Sequence, residues 1–197
     1  MKKVLLFAAV MLASFANAKT NVYNFTVFNV DENDESYVAK TINTTKDADF
    51  INKKIVNLLS GEDGAVTLVS EENGVYKYQG EFQSQSIYNP FAGLTKRNLV
   101  FNLDVTITDG QVALMFTNLK VTEKYMGYGM NDKRYDVAQK MIDYKKQRAI
   151  YDSKDKKAYS KEEKKNAAEV VDEISNEIGG SDAELALRLS HIEEALQ

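Results

Sequence analysis

Carboxylates and amides dominate the side chains of this chain that could do chemistry, and one group of them has spacing typical of a cation site. Asp31, Asn33 and Glu35 alternate as in the first half of a calcium-binding loop. However, Ser36 stands where an EF-hand needs glycine, and Ile42 stands where it needs the bidentate glutamate. We therefore predict no metal site and expect residues 31–35 to form a solvated loop or hairpin tip.

Other candidates for catalysis are few. His191 is the single histidine and lies in the last predicted helix, so a Ser-His-Asp triad or a histidine metal cluster would depend on the end of the chain. We expect His191 to be a solvated or partly packed helical residue. The 29 acidic residues offer many carboxylate pairs, and glycoside hydrolysis needs only one pair. We predict no catalytic residue and no cofactor, with a carboxylate-dependent hydrolase as the alternative function.

Aromatic residues occupy two segments where loops are usually polar. Tyr88 and Phe91 lie in a loop predicted over residues 86–93, and Tyr125 and Tyr128 lie in a hinge predicted over residues 125–130. Rigid aromatic side chains contribute interface energy at low entropic cost, so these four residues are candidates for partner-binding loops. Alternatively, they cover the end of a sheet or pack on the next helix, and the sequence favours this packing interpretation.

The first residues predict export. Lys2 and Lys3 precede an apolar run over residues 4–13, and Ala16-Asn17-Ala18 has the small-x-small pattern of a signal peptidase site. The run is shorter than the roughly 20 residues that span a bilayer, so we expect no transmembrane segment in the mature chain. The absence of cysteine excludes disulfides and a lipoprotein anchor. The protein is therefore expected to be periplasmic or secreted and to have a net charge of −6 after loss of the leader.

The patterns between residues 22 and 121 are typical of one helix and a meander of strands. Spacing of a capping box at Thr44 to Asp47, followed by apolar residues at helical intervals up to Gly61, predicts a helix over residues 47–60. Alternating apolar residues and turn sequences predict strands over residues 22–30, 65–70, 75–85 and 99–108 and from residue 112 onward. The apolar phase slips near Asn118, which predicts a β-bulge there.

The remainder of the chain is predicted to be helical. Helices are expected over residues 132–151, from Ser160 to a stop at Gly179-Gly180, and from Ser181 to the end, each of the last two with a capping box. Between Lys133 and Lys165 there are 12 basic and 6 acidic residues, whereas the following segment is acidic with Arg188 as its one basic residue. We expect the acidic segment to mask the basic one, either within one chain or across a homodimer formed by the C-terminal helices.

This order of elements resembles the TATA-binding-protein-like (TBP-like) fold, and more narrowly an uncharacterised exported bacterial family, a domain of unknown function with that fold. The resemblance covers residues 42–125 and rests on three features: the helix around Phe50-Ile51-Asn52, the hairpin at Gly74-Val75-Tyr76, and residues 98–103 running through Asp109-Gly110 into residues 113–116. It implies an α+β fold of order β-α-β-β-β-β-α, an antiparallel sheet with helices on one face, plus a C-terminal helical extension. It implies no activity.

The open face of such a sheet could serve as a saddle for nucleic acid, but its predicted residues include Glu81 and Asp104, which phosphates would repel. We predict no nucleic-acid partner. The expected organisation is a signal peptide over residues 1–18, a sheet domain over 19–128 and a helical extension over 129–197. The predicted function is that of an exported, non-enzymatic binding or structural protein of the bacterial cell envelope, with an unknown protein or envelope ligand as its partner.

The leader prediction can be checked on exported protein. We expect cleavage after Ala18, so that the mature chain begins at Lys19. Intact-mass spectrometry of the exported protein should give the mass of residues 19–197. A mass that retains residues 1–18 would contradict the prediction of export.

Overall fold

The computed structural model describes residues 25–89, 93–126, 132–155 and 158–197. The predicted leader, Phe91 and Tyr128 lie outside these residues. Within the described ranges, no helix combines the length and the apolar composition needed to cross a membrane.

One antiparallel sheet and three helices make up the described part of the chain. The elements in chain order are β1 (Asn29–Val30), β2 (Ser36–Asn43), α1 (Ala48–Ser60), β3 (Ala65–Glu72), β4 (Val75–Asn89), β5 (Gly93–Thr108), β6 (Gln111–Tyr125), β7 (Lys133–Asp136), α2 (Val137–Asp152) and α3 (Lys161–Leu196). The strand order is β1-β2-β6-β5-β4-β3, and β7 pairs with β6 beyond the end of β2. The α+β class and the antiparallel sheet predicted from the sequence are confirmed.

All three helices cover the same face of the sheet, which we call the helix face. Along β5 every second side chain is buried, because strand side chains alternate between faces. Phe101 lies at the centre of this face, with its ring centroid 5.7 Å from that of Phe82 on β4 and 5.2 Å from that of Phe116 on β6. The helices bury apolar residues in the same core, among them Ile51, Ile55, Met141, Tyr144, Ile174, Ile178, Leu185 and Ile192. The opposite face, the open face, has no helix on it among the described residues.

The bulge predicted near Asn118 is confirmed. The β5–β6 register shifts between Val100 and Asn102, and Asn118 has a φ of 52°. The extra residue restores the apolar phase, so that Leu119 and Val121 are buried on the same face as Phe116. The slip in the sequence pattern is therefore a real feature of β6.

Strand β2 was not predicted, because its alternation is interrupted. Val38 and Ile42 are buried, but Lys40 lies between them and pairs with Glu193 of α3 at 2.6 Å. Thr44 was wrongly assigned to the start of α1. Asp47 caps that helix by accepting a hydrogen bond from the Phe50 amide at 2.8 Å.

Helix α2 begins five residues later than predicted. Residues 133–136 pair with β6 as strand β7, a tertiary contact that outweighs their helix-forming composition. The side chain of Asp136 then caps the helix by accepting a hydrogen bond from the Gln139 amide at 3.2 Å. Asp136 is therefore both the last residue of β7 and the N-cap of α2.

The last two predicted helices are one continuous helix of 36 residues, so the predicted stop at Gly179-Gly180 is wrong. Its N-terminal capping box at Ser160 and Glu163 is confirmed. Ser181, predicted to cap a third helix, is instead buried in the middle of α3, where its Oγ lies 2.7 Å from Oγ of Ser84 on β4. A Cβ on Gly180 would lie 2.6 Å from Oε1 of Gln85, so this glycine permits close packing rather than ending the helix.

Polar contacts hold α3 to several parts of the fold. The buried carboxylate of Asp182 accepts hydrogen bonds from the backbone amides of residues 26–28, including Phe28 at 2.7 Å. Arg188 donates to the carbonyls of Leu58 and Leu59 at the C-terminal end of α1, at 2.9 and 2.8 Å. Both contacts provide hydrogen-bond partners for backbone amides or carbonyls that have none within a helix or a strand pair. The helical extension thus shares its core with the sheet.

This packing is relevant to two predictions: that the acidic C-terminal segment masks the basic segment, and that the C-terminal helices form a homodimer. The apolar stripe of α3 is buried within one chain, and Lys140 of α2 pairs with Glu177 of α3, which joins the basic and acidic segments in cis. A homodimer through these helices stays a prediction. It would have to use exposed residues such as Tyr151 and Leu187.

The two glycines of α3 give a matched test of this packing. Nothing lies within 4 Å of a Cβ placed on Gly179, so Gly179→Ala should stabilise the protein by about 1 kcal/mol, the difference in helix propensity. Gly180→Ala should gain less or destabilise, because its methyl group displaces Gln85 from Nη1 of Arg97, now 3.3 Å away. Urea unfolding of both variants measures the difference. Equal stabilisation by the two substitutions would mean that α3 does not pack closely on β4.

Candidate functional site

An apolar row lies at the end of the open face. Tyr88 on β4 pairs with Leu94 on β5, whose carbonyl accepts a hydrogen bond from the Met126 amide at 2.9 Å. Tyr88 is 74% exposed and Met126 is 65% exposed. We call Tyr88, Leu94 and Met126 the tip row. Because Tyr88 and Leu94 pair across adjacent strands and Met126, directly after β6, bonds to Leu94, the three residues form one surface.

The four predicted binding residues do not form one site. Tyr88 belongs to strand β4 and not to the loop predicted over residues 86–93. Tyr125 ends β6 and pairs with Thr95, which is buried on the helix face, so it points away from the open face that carries Tyr88. Phe91 and Tyr128 lie outside the described residues. Met126 and Leu94, which the sequence did not single out, are the neighbours of Tyr88.

A buried polar network lies beneath α3 at the same end of the sheet. Nε of Arg97 on β5 donates to Oε2 of Glu123 on β6 at 2.7 Å, and both residues are more than 90% buried. Nη1 of Arg97 also donates to the carbonyl of Asn176 on α3. The hydroxyl of Tyr125 donates to the second carboxylate oxygen of Glu123. Both oxygens of the buried carboxylate are therefore hydrogen-bonded.

The network changes the titration of its members. Burial alone would raise the pKa of Glu123, but hydrogen bonds from Tyr125 and Arg97 and the charge of Arg97 outweigh it, so this pKa lies below its ordinary value. The hydrogen bond to Glu123, with burial second, raises the pKa of Tyr125. Each charge of the network has its partner, and the hydrogen bond from Arg97 to the Asn176 carbonyl joins α3 to the sheet.

Sequence reasoning missed this network, although a signal was present. Arg97 and Glu123 occupy inward positions on β5 and β6, in phase with buried apolar residues such as Leu99 and Val121. Two opposite charges at inward positions of adjacent strands predict a buried pair once the strands are known to be neighbours. The register that makes them neighbours depends on the bulge at Asn118.

An acidic notch lies where β6 changes partner from β2 to β7. It is a cavity of about 350 Å³ lined by Asp34, Glu35, Ser36, Thr117, Asn118, Asp136 and Ala138. Its three carboxylates are exposed to water, and that of Asp136 already caps α2. A catalytic carboxylic acid works best where burial favours its protonated form. The notch therefore provides no environment that favours carboxylate-dependent hydrolysis.

The other candidate residues have local structural roles. Asp31 accepts hydrogen bonds from the amides of Asn33 and Glu35, both at 2.9 Å, in the turn that joins β1 to β2. The hairpin tip predicted for residues 31–35 is thus confirmed. His191 is exposed on α3, as the solvated alternative predicted.

The pH dependence of stability tests the buried pair. Because the pKa of Glu123 is lower in the folded state, the pair contributes its full stability above the ordinary carboxyl pKa of 4.5 and loses it as the pH falls through the lowered value. We expect Glu123→Gln to destabilise the protein by about 3 kcal/mol at neutral pH, since Arg97 keeps its buried charge without a counter-charge. The difference from the unsubstituted protein should shrink below pH 4.5, as followed by urea unfolding across the pH range.

The exposed Glu194 of α3 provides the control. Glu194→Gln should leave stability within about 0.5 kcal/mol at every pH. A constant deficit of Glu123→Gln from neutral to acid pH would contradict the lowered pKa.

Comparisons with known proteins give no family for this chain. No family model and no curated protein matches it. Two solved structures are similar to it: a DUF4468 family protein from Bacteroides ovatus ATCC 8483 (TM-score 0.40, 13% identity, 80% of this chain and 89% of that chain) and a TBP-like protein from Parabacteroides distasonis ATCC 8503 (TM-score 0.36, 11% identity, 79% and 96%). The first description names a domain of unknown function and the second a TBP-like protein, which are the two parts of the resemblance predicted from the sequence, and neither describes an activity.

Proposed function

We propose that this chain is an exported, non-enzymatic binding protein of the bacterial cell envelope, and that it contacts its partner through the tip-row end of the open face. The observation that carries the proposal is the exposure of Tyr88 and Met126 on either side of Leu94, on a sheet face that no helix of the described residues covers. Export rests on the predicted leader, and the mature chain would be periplasmic or secreted.

The tip row has the physical properties of a contact surface. A tyrosine has only two side-chain torsions, so ordering it costs little entropy, and it buries a large area on contact. The side chain of Tyr88 is more exposed than the other large apolar side chains of the described residues. Its backbone is fixed within the β4–β5 pair, so the ring is presented from a rigid strand.

Binding is better supported than catalysis. The polar network beneath α3 has both carboxylate oxygens hydrogen-bonded, and the carboxylates of the acidic notch are hydrated. Neither place combines a desolvated acid with a free nucleophile or base, which hydrolysis requires.

Removing the tip row should remove binding and leave the fold intact. We expect the double variant Tyr88→Ser/Met126→Ser to melt within a few degrees of the unsubstituted protein, because both side chains are exposed. In crosslinking to intact cell envelopes from its own organism, the mature protein should yield a saturable adduct that the double variant does not form.

Tyr151→Ser/Leu187→Ser is the matched control, since it removes two exposed apolar side chains from the helices instead. This control should crosslink as the unsubstituted protein does. If the tip-row variant and the control give the same adduct in the same amount, the contact surface lies elsewhere and the proposal is wrong.

A further inference from the structure

Four basic residues lie on the open face next to the tip row. Arg97 and Glu123 point to the helix face, so their neighbours Lys96 and Lys124 point to the open face. Lys120 lies on the same side of β6, and Arg134 pairs with Thr122 across β6 and β7. We call Lys96, Lys120, Lys124 and Arg134 the basic strip.

Most of the charge of the basic strip has no counter-charge within the fold. No carboxylate of the described residues forms an ion pair with any of its four members. Of the acids nearest to it, Glu123 is turned to the helix face and bonded to Arg97. Asp136 stands directly opposite Lys120 across β6 and β7, and its carboxylate also caps α2. Glu81 lies on the open face two strands away from Lys120. Lys96, Lys124 and Arg134 therefore present a concentrated positive charge, which Asp136 offsets only at the Lys120 end of the strip.

Two of these lysines oppose each other directly. Lys96 pairs with Lys124 across β5 and β6. Like charges at directly opposed positions destabilise a sheet. At the other end of the open face the opposed pair is Lys77 and Asp104, whose charges meet at 2.7 Å. The fold thus tolerates an unfavourable pair next to the tip row, although a neutral arrangement is used elsewhere on the same face.

The tip row lies at the end of the sheet with the basic strip behind it, and this order matches the layers of a membrane surface. Leu94 and Met126 lie two residues from Lys96 and Lys124 on their strands, about 7 Å along the sheet. Apolar and tyrosine side chains at the edge of a protein insert between headgroups, while lysines behind them meet anionic phosphates. A base-stacking platform would instead place its aromatic rings among the cations, and Tyr88 stands at the extreme end of the sheet.

We propose that the tip row and the basic strip together dock this protein on a membrane that contains anionic phospholipid. The inference rests on the proposed binding function and names the chemistry of its partner. The apolar row supplies insertion and the basic strip supplies the electrostatic attraction, so binding should need anionic lipid and weaken with salt.

Vesicle sedimentation with the mature chain tests the electrostatic part. The protein should bind vesicles that mix phosphatidylglycerol with phosphatidylcholine and should not bind phosphatidylcholine alone. Lys96→Gln/Lys124→Gln should lower the partition coefficient roughly 25-fold, which is about fivefold for each charge removed. It should melt no lower than the unsubstituted protein, because it removes the opposed like charges.

The matched control is Lys145→Gln/Lys146→Gln, which removes the same charge from an exposed part of α2. It should bind anionic vesicles almost as well as the unsubstituted protein. Equal losses in both variants would mean that net charge and not the basic strip governs binding, and would overturn the proposal.

A fluorescence experiment tests insertion directly, because the chain contains no tryptophan. Emission of a Tyr88→Trp variant should shift to shorter wavelength on anionic vesicles, whereas that of Tyr151→Trp on α2 should not. No shift at position 88 would overturn membrane docking.

The failure of this inference can be told from failure of the proposed function. If the unsubstituted protein ignores anionic vesicles but binds polyglutamate or duplex DNA through Lys96 and Lys124, the membrane assignment is wrong. The proposed binding function would still stand if the envelope adduct depended on Tyr88 and Met126. If the envelope adduct did not depend on Tyr88 and Met126, both the proposed binding function and the membrane assignment would be wrong.

Discussion

Burial of the long helix α3 against one face of the sheet is the interaction on which the other parts of this structure depend. A helix of 36 residues is about 54 Å long, so it reaches across several strands and meets α1 and α2 as well. Its apolar stripe joins the core formed by β4, β5 and β6. Asp182, Arg188 and the Asn176 carbonyl make buried or partly buried hydrogen bonds at separate points along it. These contacts are distant in sequence, so the helix and the sheet must order together.

Burial on one side leaves the other side of the sheet to solvent, and this asymmetry shapes the charge distribution. Arg97 and Glu123 pair beneath α3, where an unpaired charge would be costly. Their neighbours Lys96 and Lys124 face solvent, where opposed like charges cost less than an unpaired charge would beneath α3. The same two strand segments therefore hold a neutral pair on one face and a positive pair on the other. The proposed membrane contact uses this difference.

Some features of the proposed contact surface were visible in the sequence, and others were not. The exposed aromatic at Tyr88 was singled out by its type and position. Its neighbours Leu94 and Met126 could not be, because strand pairing brings them together across gaps in the chain. The basic strip was hidden for the same reason. Lys96 and Lys124 are separated by 27 intervening residues and meet only through the β5–β6 register.

Local signals alone determined the class of the fold, the capping box at Ser160 and the bulge near Asn118, because each depends on residues within a few positions of one another. Tertiary structure decided the role of Gly180. Its sequence context predicts the end of a helix, but in the fold it lies within a continuous helix and leaves space for Gln85. It also made a strand of residues 36–43 despite Lys40, because these residues pair with β6, and Glu193 from the end of the chain pairs with that lysine. Where the local conformational preference of a segment disagreed with its tertiary packing, the free energy gained by burying α3 was larger than the free-energy cost of that preference.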